Sequence, residues 1–161
     1  MPAMAKMGSK SSTLIIQKTM TPTLLGRWQT RILLMETVGL VITLLFCGGA
    51  FGNPESSDYF WLLQYIVIFG LGWDYLYIQI QTFRWDQDWP AALQWLAALW
   101  EGIFIILLVG IADIKLPPLE GWNLGWFIVH YSFVWVGVFV ASQSLMRLIF
   151  PRWRFRGGQW L

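Results

Sequence analysis

The chain has 161 residues, of which 57% are hydrophobic and only 12% are charged, whereas about 25% of a typical soluble domain is charged. This composition excludes an ordinary soluble domain, and a net charge of +2 gives no reason to expect nucleic acid as a partner. The single cysteine, Cys47, and the single histidine, His130, exclude an intramolecular disulfide and a multi-histidine metal site within one chain. A membrane protein is the class that fits.

Residues 1–31 form a basic segment that is rich in Ser and Thr and contains no Asp or Glu. We expect a basic cytoplasmic tail that is disordered at its start, because its first residues include too few apolar side chains to bury. An organelle transit peptide has a similar composition and is the alternative interpretation.

Four stretches are long and apolar enough to cross a bilayer, since a transmembrane helix needs about 20 mostly apolar residues. They cover residues 32–51, 59–80, 90–111 and 124–150. Polar turns separate them, and Pro117 and Pro118 forbid a helix in the third connection. The sequence therefore predicts an all-α membrane protein, with a four-transmembrane-helix bundle over residues 32–150.

The distribution of Lys and Arg predicts the orientation of these spans. An excess of positive charge in short loops marks the cytoplasmic side of a membrane protein. Every Lys and Arg except Lys115 falls in the N-terminal segment, in the second connection or at the C-terminal end. An even number of spans places these three positively charged regions on one side of the membrane. We therefore expect both termini on the cytoplasmic (or stromal) side of a bacterial plasma or thylakoid membrane.

Polar and small residues recur at helical spacing within the predicted spans, which favours inward-facing stripes in a compact bundle. In the second span, Gly70, Asp74, Tyr77 and Gln81 share one face. Polar groups at membrane depth are costly and usually face a bundle interior or a partner. The candidates of this kind are Glu36, Gln64, Asp74, Gln94, Glu101 and His130.

The acidic candidates in the first two spans lie towards the cytoplasmic side. At about 1.5 Å of rise per residue, Glu36 and Asp74 come close to the predicted depth of Arg31, Arg84 and Arg147. We expect these five residues to supply an ion-paired cluster. A proton or cation site is the alternative.

Glu101 and His130 are predicted to lie deeper in the membrane. No cation is expected near Glu101, so its burial would disfavour the charged form of the carboxyl and make it a candidate functional acid. For His130 we expect an interhelical hydrogen bond. A haem or chlorophyll bound through one ring nitrogen is the alternative, and no other cofactor is predicted.

The C-terminal segment, residues 151–161, alternates cationic and aromatic side chains. Guanidinium groups reach lipid phosphates while aromatic rings enter the membrane interface, so we expect a surface anchor. Docking to a partner protein is the alternative. The residues concerned are Arg152, Trp153, Arg154, Phe155 and Arg156.

The segments TPTLLGRWQTRILL (residues 21–34) and PRWRFRGGQWL (residues 151–161) resemble the ends of small polytopic membrane proteins of cyanobacteria. This resemblance implies a thylakoid or plasma membrane setting and carries over no catalytic residue. Light-harvesting-like helices bind chlorophyll through Glu, with Asn three and Arg five residues later, and neither Glu36 nor Glu101 is followed by that pattern.

No nucleotide-binding, zinc-protease or serine-hydrolase motif occurs in the sequence, so it predicts neither catalytic residues nor metal ligands. The interpretation it favours is a non-enzymatic accessory or assembly subunit of a larger membrane complex. One alternative is a small transporter or channel, acting as a homo-oligomer and using the intramembrane acidic residues. Another is an intramembrane redox or cofactor-binding protein that uses His130.

Overall fold

The computed structural model describes residues 23–83, 91–111, 114–117, 119, 121, 123–145 and 148. Within them the chain forms four long apolar helices and no β-strand. The helices are α1 (Leu24–Cys47), α2 (Asp58–Thr82), α3 (Ala91–Ile111) and α4 (Leu124–Gln143). Each is long and apolar enough to cross a membrane, as the sequence predicts.

Helix α1 begins at Leu24, earlier than the predicted start at Ile32. Its N-cap is Thr23, whose hydroxyl accepts a hydrogen bond from the amide of Gly26 at 3.1 Å, and such a cap satisfies one of the free amides of the first turn. Arg27 and Arg31 therefore lie within the helix rather than in a tail. Helix α4 has an equivalent cap, Asn123, which accepts from the amide of Trp126.

Helix α1 contains a π-helical turn, Met35–Gly39, and α3 ends in another, Ile106–Ile111. Such turns insert one extra residue into a helix and often mark functional positions. In α1 the π-helical turn contains Glu36 and packs against α4. Beyond Cys47 the chain leaves the helix through a turn in which Gly49 has φ of 67°, a left-handed conformation that favours glycine.

The helices pack so that α1 contacts α2 and α4, and α3 contacts the same two helices. All of them contribute to one apolar core, which consists of Met35, Leu62, Leu63, Ile66, Val67, Ile105, Phe127 and Val134. Gly39 permits the close approach of α1 to its neighbours, because a Cβ atom there would lie 3.4 Å from side chains of both Leu63 and Val134.

The distribution of polar and apolar side chains differs from that of a soluble protein. Large apolar side chains project outward along the helices, whereas several polar ones are buried: Thr43, Asp74, Gln81, Glu101, His130 and Ser142. The stripe predicted for α2 is confirmed, since Gly70, Asp74, Tyr77 and Gln81 are all buried.

Several predicted features lie outside the described residues. They are most of the N-terminal segment, Arg84, Arg147 and the C-terminal Arg–aromatic segment with Arg152, Trp153, Arg154, Phe155 and Arg156.

Candidate functional site

The guanidinium of Arg31 lies between two carboxylates from different helices. Its Nε and Nη2 donate to the two carboxylate oxygens of Asp74 on α2, at 2.8 and 3.1 Å. Its Nη1 and Nη2 donate to the two carboxylate oxygens of Glu101 on α3, at 2.8 and 2.9 Å. Arg31 thus makes bidentate contact with both acids, which is the strong and directional form of an Arg–carboxylate pair.

These three side chains form an ionic cluster that is almost fully removed from the surface. The side chains of Arg31, Asp74 and Glu101 retain 15%, 5% and 8% of their exposure. Charges in such surroundings interact more strongly than in water, but each also loses its hydration. The four hydrogen bonds therefore compensate for desolvation, and they tie α1, α2 and α3 together at one point.

A second arginine and two tyrosines surround the ionic cluster. Nη2 of Arg27, one turn before Arg31, donates to Oε1 of Gln81 at 3.0 Å. The hydroxyls of Tyr77 and Tyr131 donate to the carbonyls of Ala97 and Ala98 on α3, at 3.3 and 2.6 Å. With Arg27 included, two positive charges face two negative charges, so this end of the bundle approaches electrical neutrality.

Glycine at position 70 creates the space that the guanidinium occupies. A Cβ atom at Gly70 would lie 2.2 Å from Nη1 of Arg31 and 2.7 Å from its Cζ, so the guanidinium would have to move away from its position between the two carboxylates. The geometry of the ionic cluster thus depends on a glycine of α2 as well as on its charged members.

The structure corrects two expectations about the acidic residues. Glu101 was expected to lack a nearby cation, and this is wrong, because Arg31 binds both of its carboxylate oxygens. Glu36 was expected in a cluster with Asp74, but its described partner is a neutral amide: Nε2 of Gln64 donates to its Oε1 at 3.1 Å. The sequence signal that was missed is the Thr23 cap, which brings Arg31 into the helix.

The remaining polar candidates lie elsewhere in the bundle. Gln94 on α3 accepts a long hydrogen bond of 3.4 Å from Gln143 on α4. His130 is fully buried, and its Nε2 lies 2.9 Å from the hydroxyl oxygen of Thr43 on α1. Among the described residues, its Nδ1 has no hydrogen-bond partner. Because an unpaired buried N–H costs more than an unpaired acceptor, the favoured tautomer carries its proton on Nε2 and donates to Thr43.

The surroundings of His130 do not fit a haem or a chlorophyll. Its ring packs against Phe46 and Tyr59, with centroids 5.0 and 5.3 Å away, and the side chain has no exposed surface. Axial ligation needs an open approach to one ring nitrogen. Here Nε2 is engaged with Thr43 and the side chain is enclosed, so the site is a packed histidine with one interhelical hydrogen bond.

Among the described residues, no group of three or more His, Cys, Asp or Glu side chains is arranged to hold a metal ion. No protein-family model, curated protein or solved structure matches the chain. The fold and the site alone define the class: over the described residues, the protein is a bundle of four helices with an apolar exterior and a buried ionic cluster.

Replacing Arg31 with Met is expected to destabilise the bundle. The change leaves Asp74 and Glu101 buried together without a cation, and breaking a buried pair in this way costs about 3–5 kcal/mol. The triple variant Arg31→Met, Asp74→Leu, Glu101→Met is expected to recover part of that loss, because it removes both buried carboxylates and leaves only the charge of Arg27, which donates to Gln81. Denaturant titration of the detergent-solubilised protein measures both free energies of unfolding. An Arg31→Met variant as stable as the parent would contradict this account.

Two glycines of α2 offer a matched pair that tests the packing of the guanidinium. Gly70→Ala is expected to destabilise by about 1–3 kcal/mol, the usual cost of overpacking. Gly72→Ala introduces the same methyl group where nothing lies within 4 Å, and should be neutral or stabilise by up to about 1 kcal/mol through helix propensity. Thermal unfolding of the two purified variants makes the comparison. Equal effects at the two positions would show that Gly70 does not accommodate Arg31.

Proposed function

We propose that the protein inserts its four helices across a membrane with both termini on the cytoplasmic side. Apolar side chains outside and polar ones inside support this, because lipid tails solvate the former and cannot satisfy the latter. The positive-inside distribution of Lys and Arg supports the orientation. The resemblance of both terminal segments to cyanobacterial membrane proteins supports a plasma or thylakoid membrane.

Cysteine labelling tests this topology. In a Cys47→Ser background, expressed in the plasma membrane of a bacterial host, a cysteine introduced at Ser57, just before α2, should react with a membrane-impermeant maleimide added outside intact cells. A cysteine at Ser11 should react only after the membrane is permeabilised. Labelling of both positions, or of neither, in intact cells would overturn the two-sided arrangement. Denatured samples of each variant, labelled in full, provide the control for thiol reactivity.

Within the membrane, we infer a non-enzymatic role as an accessory or assembly subunit of a larger membrane complex. The observation that carries this proposal is the engagement of Asp74 and Glu101 by Arg31. Both carboxylates are bound in bidentate fashion, so neither can take up a transported cation without losing its contacts with Arg31. We infer that this ionic cluster serves to fix the three helices in place.

The outward surface also supports an accessory role. Helix α3 exposes Trp95, Leu96, Leu99 and Trp100 over two successive turns. Aromatic residues of this kind are enriched where proteins contact one another and at membrane interfaces. A small bundle with such a surface is suited to contact both lipid and neighbouring subunits.

Transport by a homo-oligomer is the second candidate, and one observation favours it. Glu36 lies in a π-helical turn, and its hydrogen-bond partner is the neutral amide of Gln64. Among the described acidic residues within helices, its carboxyl is therefore the one that a proton or cation would reach most directly. Flux through reconstituted vesicles that Glu36→Gln abolishes would establish this alternative. The redox alternative depended on His130, whose enclosed ring gives it no support.

Affinity purification from native membranes tests the accessory role. We expect the tagged protein, solubilised gently, to migrate with a larger complex on native gels and to yield a stoichiometric partner by mass spectrometry. The same tag on an unrelated four-span protein is the control for nonspecific recovery. Recovery of only the isolated protein, or of copies of itself, would count against the accessory role and in favour of transport.

A further inference from the structure

Glu36 lies in the middle of α1. At about 1.5 Å per residue, it is about 17 Å from either end of that helix. It is half-buried, and its hydrogen bond comes from the amide of Gln64 at 3.1 Å. No Lys or Arg among the described residues lies within ion-pairing distance of it. Glu36 is thus a partly exposed carboxyl, at central depth, with no cationic partner within the described bundle.

The surface around Glu36 has an apolar border. Ile32 lies one turn before Glu36 on α1, and Ile68 lies one turn after Gln64 on α2. Trp61 lies one turn before Gln64. These three side chains are 44%, 59% and 41% exposed. We call this surface, comprising Ile32, Glu36, Trp61, Gln64 and Ile68, the α1/α2 groove.

The other described groups near this groove leave Glu36 without a counterion. On the same helix, Arg31 is held by Asp74 and Glu101. From α2 the polar neighbour is Gln64. Helix α4 packs against the π-helical turn and contains no Lys or Arg among its described residues, and the Nε2 of its histidine, His130, is bonded to Thr43. Within the part of the chain that the structure describes, no cation therefore pairs with the carboxyl of Glu36.

We propose that the α1/α2 groove docks a transmembrane helix of a partner subunit, and that this helix presents a Lys or Arg side chain to Glu36. The argument is charge complementarity: the groove offers a carboxylate and an amide within an apolar rim, and polar side chains at this depth join neighbouring helices. This inference rests on the proposed accessory role and names the surface and the partner chemistry that the role requires.

The described helices of a second copy of this chain offer no cation at the level of Glu36, so we favour a different protein as the occupant of the groove. The cations in the described helices are Arg27 and Arg31, which bind Gln81 and the two carboxylates. Both lie in the first turns of α1, whereas Glu36 lies at its centre. Two copies packed through this groove would bring one uncompensated carboxyl near another, which is unfavourable at membrane depth.

Photo-crosslinking in native membranes tests the surface directly. The full chain carries a benzoylphenylalanine at Ile68, or at Val136 on α4 as a control that is also exposed, at 48%. We expect the Ile68 position to crosslink to a transmembrane peptide that contains Lys or Arg, and the Val136 position not to crosslink to that peptide. A crosslink from Ile68 to this chain, to a peptide without Lys or Arg, or to lipid alone would overturn the proposal.

Substitution of Glu36 tests the charge. Glu36→Gln keeps an acceptor for Gln64 and should leave thermal unfolding nearly unchanged, while the Ile68 crosslink falls by at least about tenfold, because removal of one member of a desolvated charge pair weakens binding by more than that factor. The matched control is Thr37→Val, since the Thr37 hydroxyl donates to the carbonyl of Leu33 within its own helix. An undiminished crosslink in Glu36→Gln would refute the role of the charge.

The two proposals fail in different ways. If affinity purification recovers no partner for the unmodified protein, the accessory role itself is wrong. If a partner is recovered and Glu36→Gln retains it in full, the accessory role stands and the α1/α2 groove is not its docking surface. Swapping charges, with Glu36→Lys here and Lys or Arg→Glu in the crosslinked partner helix, should restore the complex. Absence of recovery in the double variant counts against a direct ion pair.

Discussion

The arrangement of the bundle depends on one buried cation shared by two carboxylates. Arg31 cannot be accommodated among apolar helices unless its charge and its N–H groups are satisfied, and Asp74 and Glu101 satisfy them together. The requirement is mutual, because two buried carboxylates would repel each other without the guanidinium. Three helices must therefore meet at one depth and in one rotational setting, and Gly70 must leave room for the side chain.

Polar side chains elsewhere specify the structure in the same way. Thr43 and His130 join α1 to α4 at the opposite end from Arg31, and Gln64 joins α2 to Glu36. In the membrane setting that we propose, apolar contacts alone would discriminate poorly among helix arrangements, since lipid tails are as apolar as leucine. Hydrogen bonds between particular pairs supply that discrimination. Of these pairs, Glu36 and Gln64 include a carboxyl without a cationic partner among the described residues, which is why we propose that another helix docks there.

The hydropathy of the sequence predicted the number of helices well, and the candidate site only in part. Asp74 was recognised from its stripe on α2, whose members are all buried. The start of α1 was placed too late, because Arg27 and Arg31 lower the local hydropathy and made residues 24–31 look like part of a tail. Glu101 was assigned no cation because it was predicted to lie deeper in the membrane than Arg31. Its partner lies 70 residues away along the chain, a separation that spacing rules within one helix cannot bridge.

The sequence by itself determined the helical class, the number of apolar spans and the inward face of α2. These follow from local composition and from the helical period, which act over a few turns of one segment. Only the tertiary structure decided which charges neutralise one another, that Glu36 binds Gln64 rather than an arginine, and that His130 is enclosed by aromatic rings. The reason is physical: the stability of a buried charge depends on groups from other helices, and their rotation and depth are fixed only when all the helices pack together.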